Sequence, residues 1–424
     1  MSILIKNGRV IDPANKIDDI LDILIEGNKI AQVAKNIKIA AKNVIDAQNK
    51  IIAPGIIDMH VHLREPGRED NETVATATAA AASGGVTTVL AMPNTNPAMD
   101  TAQNVELLKG IIKQSAKINV LICGTITKNR FGQELSDFGA LKKSGVIALS
   151  DDGASVDNDV LMLEALEKAQ SLNLLTICHA EDKVLAAKGV MNLGFNSTRL
   201  GLRGISNASE FERVARDITL AGKTKAALHI AHVSCRQSVL AIAQAKQQGW
   251  RVTCETAPHY FALSDDNLLG YDTNMKMNPP LRSKIDVAAI KQGLKDGVID
   301  VIASDHAPHT EHEKDIEFER AQFGVIGLET ELAVSITELI ASGLLSWKRV
   351  IELLSLNPAR VLGLDKGSLS VGKIADLIVI SPEDQWRVEK NKIISKSKNC
   401  AFLGKNLVGR VDYTICDGKI VYQK

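Results

Sequence analysis

Residues Ile56–Arg64 read Ile-Ile-Asp-Met-His-Val-His-Leu-Arg, and this stretch decides the fold that we predict for the chain. Pro54-Gly55 interrupts the preceding segment, and apolar, β-branched residues then alternate with polar ones, which indicates a strand. Side chains two apart on a strand share a face, so His60 and His62 lie on one side, about 7 Å apart. Two such imidazoles can bind one metal ion, provided that other ligands arrive from elsewhere in the chain.

The composition limits the class of protein. The 424 residues are 45% hydrophobic, and 50 basic residues balance 50 acidic ones. No basic surplus favours nucleic acid or an anionic membrane as a partner. We see no secretory signal, no apolar run of about 18 residues and no Cys-x-x-Cys pair. These features predict a soluble, cytoplasmic protein with reduced thiols.

Two sequence patterns divide the chain. Residues 1–52 and 367–424 show short strands and turn signals such as Asn7-Gly8, and neither end carries enough apolar surface for its own core. We predict that the two ends pair into one small β-sandwich domain. Across residues 53–366, eight apolar strand-like runs alternate with helix-length amphipathic segments, which favours a (β/α)8 TIM-type barrel. A doubly wound open sheet is the alternative, although no Gly-x-Gly-x-x-Gly turn follows a strand.

Polar residues stand where the predicted barrel strands end, which is the working face of such a barrel. They are His60 and His62 after strand 1, Asp151 and Asp152 after strand 4, His179 and Glu181 after strand 5, His232 after strand 6, and Asp305 after strand 8. Four histidines with two or three carboxylates predict a two-metal site, and such ligands suit zinc, with manganese, cobalt or nickel as substitutes. Metal activation of water predicts hydrolysis of an amide-like C–N bond, or its reverse, with Asp305 as the acid/base candidate.

Five motifs together resemble a known family. They are His60-Val-His-Leu-Arg-Glu-Pro-Gly67, Met92-Pro-Asn-Thr-Asn-Pro97, Asp151-Asp-Gly153, Cys178-His-Ala-Glu181 and Ser304-Asp-His-Ala-Pro-His309. In combination they resemble the amidohydrolase superfamily and, within it, the class I dihydroorotase family. The resemblance covers nearly the whole chain, up to Gly372-Lys-x-Ala-Asp-Leu377.

The resemblance implies a ligand set. His60, His62 and Asp305 would hold one zinc ion, His179 and His232 a second, and Asp152 would bridge the two; a single ion is the alternative. In many members of the superfamily a carboxylated lysine is the bridge, but strand 4 ends here without a lysine. Asp151 is the rival of Asp152 for the bridging position.

The resemblance also implies a reaction, the interconversion of N-carbamoyl-L-aspartate and (S)-dihydroorotate in pyrimidine synthesis by a binuclear metal-hydroxide mechanism. The implied substrate contacts are His62, Arg64, Asn94, Asn278, His309 and the backbone of Phe323-Gly324. The planar guanidinium of Arg64 suits the carboxylate of that ring. The alternatives are another cyclic amidohydrolase (dihydropyrimidinase, hydantoinase or allantoinase) and a non-catalytic scaffold for aspartate transcarbamoylase. A homodimer and a complex with that transcarbamoylase are the protein partners considered.

The other polar residues near these motifs are predicted to support the fold or the site. We expect His229, on the opposite strand face from His232, to be packed or hydrogen-bonded. The charged segment 309–322 is predicted to be a mobile cover over the site. Of the rest, His306 points away from the metals, His312 is solvated, Asp58 and Glu181 support ligands, and His259 either lines the site or is structural.

Overall fold

The chain is organised around a barrel of eight parallel strands. The computed structural model describes residues 2–268 and 270–424. The barrel strands, numbered 1 to 8 in chain order, are Ile56–Val61, Val86–Ala91, Asn119–Gly124, Ala148–Ser150, Leu175–Cys178, Leu228–Ile230, Val252–Thr256 and Val301–Ile302. Each strand pairs with the next, and a bridge between Val61 and His306 joins strand 1 to the segment after strand 8. The predicted barrel is therefore confirmed.

Helices pack on the outside of the barrel, and side-chain caps start several of them. Thr101 accepts a hydrogen bond from the backbone N–H of Asn104, so the helix begins at Ala102, where the sequence predicts it. The helices in the first half of the chain are Val74–Ser83, Ala102–Ser115, Phe138–Lys143, Asp159–Ser171, Lys183–Ala186, Phe195–Leu200 and Asn207–Thr224. Those in the second half are Arg236–Gln247, Pro258–Ala262, Lys284–Asp296, Glu311–Lys314, Glu331–Ser335, Trp347–Ile351 and Asn357–Val361, with π-helical turns at Ile336–Ile340 and Glu352–Leu356.

The two ends of the chain share one mixed sheet, which confirms their predicted pairing. Strand Ile51–Pro54 pairs antiparallel with strand Leu377–Arg387, and side chains from both ends, such as Ile3 and Val379, pack in one core. The division of the chain at residues 52 and 367 into two domains stays a prediction. The other strands of this sheet are Ser2–Asp12, Ile17–Glu26, Lys29–Ala34, Asn43–Asp46, Asn406–Cys416 and Lys419–Gln423; Met191–Asn192 and Gly204–Ile205 form a separate pair.

One predicted turn is wrong. Asn7-Gly8 lies inside the continuous strand Ser2–Asp12, where the register with the neighbouring strand shifts between Ile5 and Gly8. Asn7 takes a φ of 63°, and a Cβ on Gly8 would come within 2.4 Å of the Ile52 side chain. An Asn-Gly pair supplies a left-handed residue and a bare backbone, and here these serve a bulge and a close strand contact instead of a turn.

Two further features bear on the expectations from composition. All six cysteines are buried free thiols. Among the described residues, no helix combines the length and the apolar character that crossing a membrane requires.

We predict that Gly84→Ala destabilises the barrel. A Cβ on Gly84, which follows helix Val74–Ser83, would lie 2.0 Å from the Leu328 carbonyl oxygen, so the backbone must shift. We expect the free energy of unfolding, measured with urea, to fall by about 1–3 kcal/mol. Gly110→Ala is the control, because its Cβ meets nothing within 4 Å in helix Ala102–Ser115 and should add about 0.5–1 kcal/mol. Equal effects of the two substitutions would contradict this account.

Candidate active site

Six side chains converge at the carboxyl ends of five barrel strands. They are the six predicted metal ligands, and each is at most 7% exposed: His60, His62, Asp152, His179, His232 and Asp305. The structure thus brings together residues that are spread over almost 250 positions of the sequence. Their roles as ligands remain a prediction.

Asp152 lies at the centre of this cluster. Its Oδ1 is 3.2 Å from His60 Nε2 and 3.6 Å from both His179 Nδ1 and His232 Nε2. Its Oδ2 is 3.4 Å from His62 Nε2. One carboxylate therefore contacts all four imidazoles, which is the position that a bridging ligand requires.

Asp305 lies on the side of strand 1. Its Oδ1 is 3.3 Å from His62 Nε2 and 3.6 Å from His60 Nε2. On the other side, His179 Nδ1 and His232 Nε2 are 2.8 Å apart. Asp152 lies between these two sides, and the division of the ligands between two ions stays a prediction.

The donor atoms fit divalent cations. Within two groups, His60-Asp152-His232 and His60-His62-Asp305, all ligand atoms lie within 4.8 Å of one another. His60 Nε2 and Asp152 Oδ1 are buried and have no hydrogen-bond partner among the described residues. Buried polar atoms without a partner are unfavourable, and a cation bound between them would satisfy both.

The charges of these groups depend on one another. Burial alone would raise the pKa of Asp152, but the imidazoles around it, His60 first, hold that pKa well below its usual range. Burial disfavours a charged His60, yet Asp152 and Glu255 raise its pKa well above the ordinary value. The buried carboxylate and the imidazoles around it therefore favour each other's charged forms most strongly at His60. A metal ion bound here would compete with protons for these nitrogens.

Three of the predicted site residues have left-handed backbones. The φ angles are 62° for Arg64, 36° for His232 and 48° for Asp305. Each residue follows the end of a barrel strand, and a non-glycine residue in this region carries strain that surrounding contacts must hold. The alternation of faces along a strand therefore no longer applies to these side chains.

This geometry corrects the parity argument for His229. Strand 6 ends at Ile230, and the turn at His232 brings its side chain into the barrel mouth. His229 also faces the interior, where its Nε2 lies 3.2 Å from Glu255 Oε2. The prediction that His229 is hydrogen-bonded agrees with the structure, but its assignment to the opposite face is wrong.

Glu255 is a site residue that sequence reasoning missed. It lies on strand 7, is 1% exposed, and its Oε1 is 2.5 Å from His60 Nδ1. Burial opposes its charge, but the two neighbouring histidines keep the pKa of Glu255 far below its usual range. The only sequence signal was a charged residue on an otherwise uncharged strand, since Glu255 belongs to none of the quoted motifs.

Asp151, the rival bridging residue, points away from the cluster. Its Oδ1 accepts hydrogen bonds from the backbone N–H groups of Ile126 and Thr127 at 2.8 and 3.0 Å, and its Oδ2 accepts one from the Thr127 hydroxyl. Arg130, on the same loop, donates to the Asp152 carbonyl oxygen at 2.7 Å. Asp151 therefore fixes the loop that braces Asp152.

Arg64 and His309 lie side by side at the edge of the cluster. Arg64 Nε donates to the Pro308 carbonyl oxygen at 3.1 Å, and its Nη2 is 3.3 Å from His309 Nε2. Burial and the neighbouring Arg68 lower the pKa of Arg64 to about 10, so it stays cationic at neutral pH. Among the described residues, none accepts a hydrogen bond from its Nη1. Arg64 therefore offers a half-buried cation with donor capacity left for an anionic ligand.

His309 joins Arg64 to the Phe323-Gly324 backbone. Burial and the Arg64 charge lower the pKa of His309 to about 3, and its neutral ring donates from Nε2 to the Phe323 carbonyl oxygen at 2.8 Å. Gly324 has a φ of 126°, and a Cβ there would lie 2.7 Å from Ala307 Cβ and 3.2 Å from His309 Nε2. Only glycine allows this approach.

The two predicted asparagines contact other site residues. Asn94 Oδ1 is 2.9 Å from His62 Nδ1, so it orients that imidazole. Asn278 Nδ2 donates to Glu181 Oε1 at 3.0 Å. Glu181 was predicted to orient a ligand histidine, but the hydrogen bond that it makes is with Asn278.

The remaining histidines and Asp58 agree with their predicted supporting roles. Asp58 Oδ1 accepts from the backbone N–H of His60 at 3.1 Å and of Ser304 at 3.2 Å, and burial raises the pKa of Asp58 to about 6. His306 Nε2 lies 3.5 Å from Glu72, away from the cluster. His312 is exposed. His259 is buried, its Nε2 lacks a partner among the described residues, and burial lowers its pKa to about 4.

A buried lysine ties down the predicted cover segment. Lys314 Nζ donates to the carbonyl oxygens of Gln322, Gly324 and Lys276 at 2.8, 2.9 and 3.3 Å. These hydrogen bonds join the segment to the Phe323-Gly324 backbone that contacts His309. Movement of residues 309–322 over the site stays a prediction.

We predict that Asp152→Asn removes metal whereas Asp151→Asn retains it. An amide cannot supply the second anionic oxygen of a bridging ligand, while Asp151 contacts only the loop beside it. Elemental analysis of the two purified variants, after identical dialysis, provides the measurement. Equal metal contents would mean that the bridging position has been misassigned.

The chain matches two protein-family models. A dihydro-orotase-like model covers residues 49–238, and an amidohydrolase family model covers residues 209–422. The dihydroorotase of Elusimicrobium minutum is 51% identical to the chain, over 99% of the chain and 97% of that protein. The dihydroorotase of Geotalea daltonii is 49% identical over the full length of both.

Solved structures share the fold at lower sequence identity. The L-hydantoinase (dihydropyrimidinase) of Arthrobacter aurescens superposes with a TM-score of 0.90 at 25% identity, covering 100% of the chain and 96% of that protein. A D-hydantoinase gives a TM-score of 0.88 at 25% identity, with the same coverage. The fold is thus shared with hydantoinases, whereas the sequence identity to dihydroorotases is about twice as high.

Proposed function

Because this chain belongs to the dihydroorotase family of amidohydrolases, we propose that it catalyses the reversible cyclisation of N-carbamoyl-L-aspartate to (S)-dihydroorotate. The chain is a hydrolase of the amidohydrolase type. The observation that carries the substrate assignment is the half-buried Arg64 beside the predicted metal ligands, because it matches the carboxylate that distinguishes dihydroorotate from simple hydantoins and dihydropyrimidines.

We propose that two zinc ions occupy the cluster. His60, His62 and Asp305 would hold one, His179 and His232 the other, and Asp152 would bridge them. When bound, such cations supply Lewis-acid activation of water and of an amide carbonyl. The dry, buried ligand set favours this role because opposite charges interact strongly where water is excluded.

The protein's own groups would perform the remaining steps. Arg64 would fix the substrate carboxylate, with His309 beside its guanidinium, while Asn94 and Asn278 would contribute amide groups near it. Asp305, whose pKa the imidazoles hold below its usual range against the effect of burial, would accept a proton and return it to the leaving nitrogen. In the cyclisation direction the same carboxylate would remove the proton from the attacking ureido nitrogen. One residue therefore serves both directions.

The cellular setting is also a proposal. We place the activity in the cytoplasm, in the synthesis of pyrimidine nucleotides. A homodimer and a complex with aspartate transcarbamoylase stay predictions from the resemblance. The complex fits the proposed reaction because a transcarbamoylase that acts on aspartate would supply N-carbamoyl-L-aspartate, the substrate of the cyclisation.

Turnover on a substrate panel tests the proposed activity. We expect the zinc-loaded protein to hydrolyse (S)-dihydroorotate in preference to hydantoin, dihydrouracil and allantoin, because only the first carries a carboxylate for Arg64. Stripping the metal with a chelator should abolish turnover, and zinc should restore it. Faster turnover of hydantoin or allantoin would favour another cyclic amidohydrolase. A metal-free protein without activity on any of them would favour the scaffold interpretation.

Arg64→Met tests the proposed carboxylate anchor. Charge-assisted hydrogen bonds contribute about 1.5–3 kcal/mol, so we expect KM for dihydroorotate to rise by about 10-fold or more while metal content is unchanged. Arg251→Met is the control, since Arg251 is exposed at the start of strand 7, at the opposite end of the barrel. Steady-state kinetics on both variants measures the difference. An unchanged KM in Arg64→Met would exclude the anchor.

A further inference from the structure

A network of hydrogen-bonded side chains extends from His60 into the barrel interior. Glu255 contacts His60 Nδ1 through Oε1 at 2.5 Å and His229 Nε2 through Oε2 at 3.2 Å. His229 Nδ1 in turn lies 2.8 Å from the Thr253 hydroxyl. His60, His229 and Glu255 are each at most 1% exposed. Thr253 is half-buried, but the other three side chains have almost no access to water, so their hydrogen-bonding atoms must find partners within this network.

The two carboxylate oxygens of Glu255, one on each histidine, set the direction of both hydrogen bonds. A carboxylate only accepts, so His60 must carry a proton on Nδ1 and His229 must carry one on Nε2. His229 Nδ1, on the other side of the ring, lies within hydrogen-bond distance of the Thr253 hydroxyl. In His60, the lone pair for a metal is on Nε2, the buried atom without a hydrogen-bond partner that faces Asp152. The network thus selects the tautomer that can bind metal.

We propose that Glu255, held by His229, is the positioning residue of the metal centre. It orients the His60 ring, keeps its proton on Nδ1, and adds a third buried negative charge beside Asp152 and Asp305 to offset the cations. Partners of this kind raise the basicity of a ligand imidazole. Glu255 contacts no substrate in this account, and His229 acts only through Glu255. The inference rests on the proposed metal centre, but not on the identity of the substrate.

Glu255→Gln tests this role through zinc affinity, measured by competition with a chromophoric chelator in the absence of substrate. The amide has nearly the same size but must turn an NH2 group towards one of the two histidines, so it cannot accept from both. We expect affinity to fall about 10- to 100-fold. Glu255→Asp, which keeps the charge and shortens the reach, should recover part of the loss. His229→Gln should weaken zinc binding less than Glu255→Gln does.

Glu331→Gln is the matched control. Glu331 is also fully buried, and neither of its carboxylate oxygens has a partner among the described residues, but it makes no contact with a ligand histidine there. We expect it to bind zinc as the unmodified chain does. A purely structural role for Glu255 would lower the thermal midpoint and leave zinc affinity unchanged, which would overturn the proposal.

The outcomes separate this inference from the proposed activity. Tight zinc binding that depends on Glu255, in a protein that does not turn over dihydroorotate, would support the positioning role and reject the substrate. Turnover of dihydroorotate, with equal zinc affinity in Glu255→Gln and the unmodified protein, would support the substrate and reject the positioning role. A chain that binds no zinc would overturn both the metal centre and this inference. If Glu255→Gln fails to fold, the comparison of Glu255→Asp and His229→Gln with the control decides in the same way.

Discussion

The architecture of the barrel mouth depends on charge compensation around Asp152. A carboxylate that is almost fully buried is unfavourable unless opposite charge surrounds it, and here all four ligand imidazoles lie within 3.6 Å of its two oxygens. Asp305 and Glu255 add further negative charge to the same volume. Removing one partner would leave the others uncompensated. The strand ends that carry these groups are therefore held in register by electrostatics as well as by packing.

The two halves of the site are built differently. The imidazoles and carboxylates for metals stand on or just beyond barrel strands, where pairing on both sides leaves little freedom. Arg64, His309 and Gly324 belong to loops that hydrogen bonds hold in place, among them the bond from Lys314 to the Gly324 carbonyl oxygen. A rigid reaction centre with a loop-built recognition surface suits a fold that serves related amidohydrolases, because loop changes can alter the substrate without disturbing the chemistry.

Sequence reasoning recovered what periodicity and motifs encode. The alternation of apolar runs with amphipathic segments predicted the barrel, and polar residues at the ends of five strands predicted the six clustered side chains, because parallel strands bring their carboxyl ends to one face. It failed where the backbone leaves regular geometry. His232 has a left-handed φ that no pattern of alternation anticipates, and Asn7 uses the same conformation for a bulge. Glu255 was missed because its partner, His60, is 195 positions away, and only the closed barrel joins them.

The sheet shared by the two chain ends has a consequence for synthesis. Strand Ile51–Pro54 is made more than 300 residues before its partner at Leu377–Ile380. At about 5–20 residues per second, the early strands wait on the order of 15 to 65 seconds for that partner on the ribosome. During this interval Ile3, Ile5 and Ile23 lack the part of their core that the C-terminal segment supplies, such as Leu377 and Val379. Asp18 and Asp19 on the neighbouring strand, with Arg9 and Lys35 beside them, place charged side chains on this segment, and charges along a strand oppose premature association between chains.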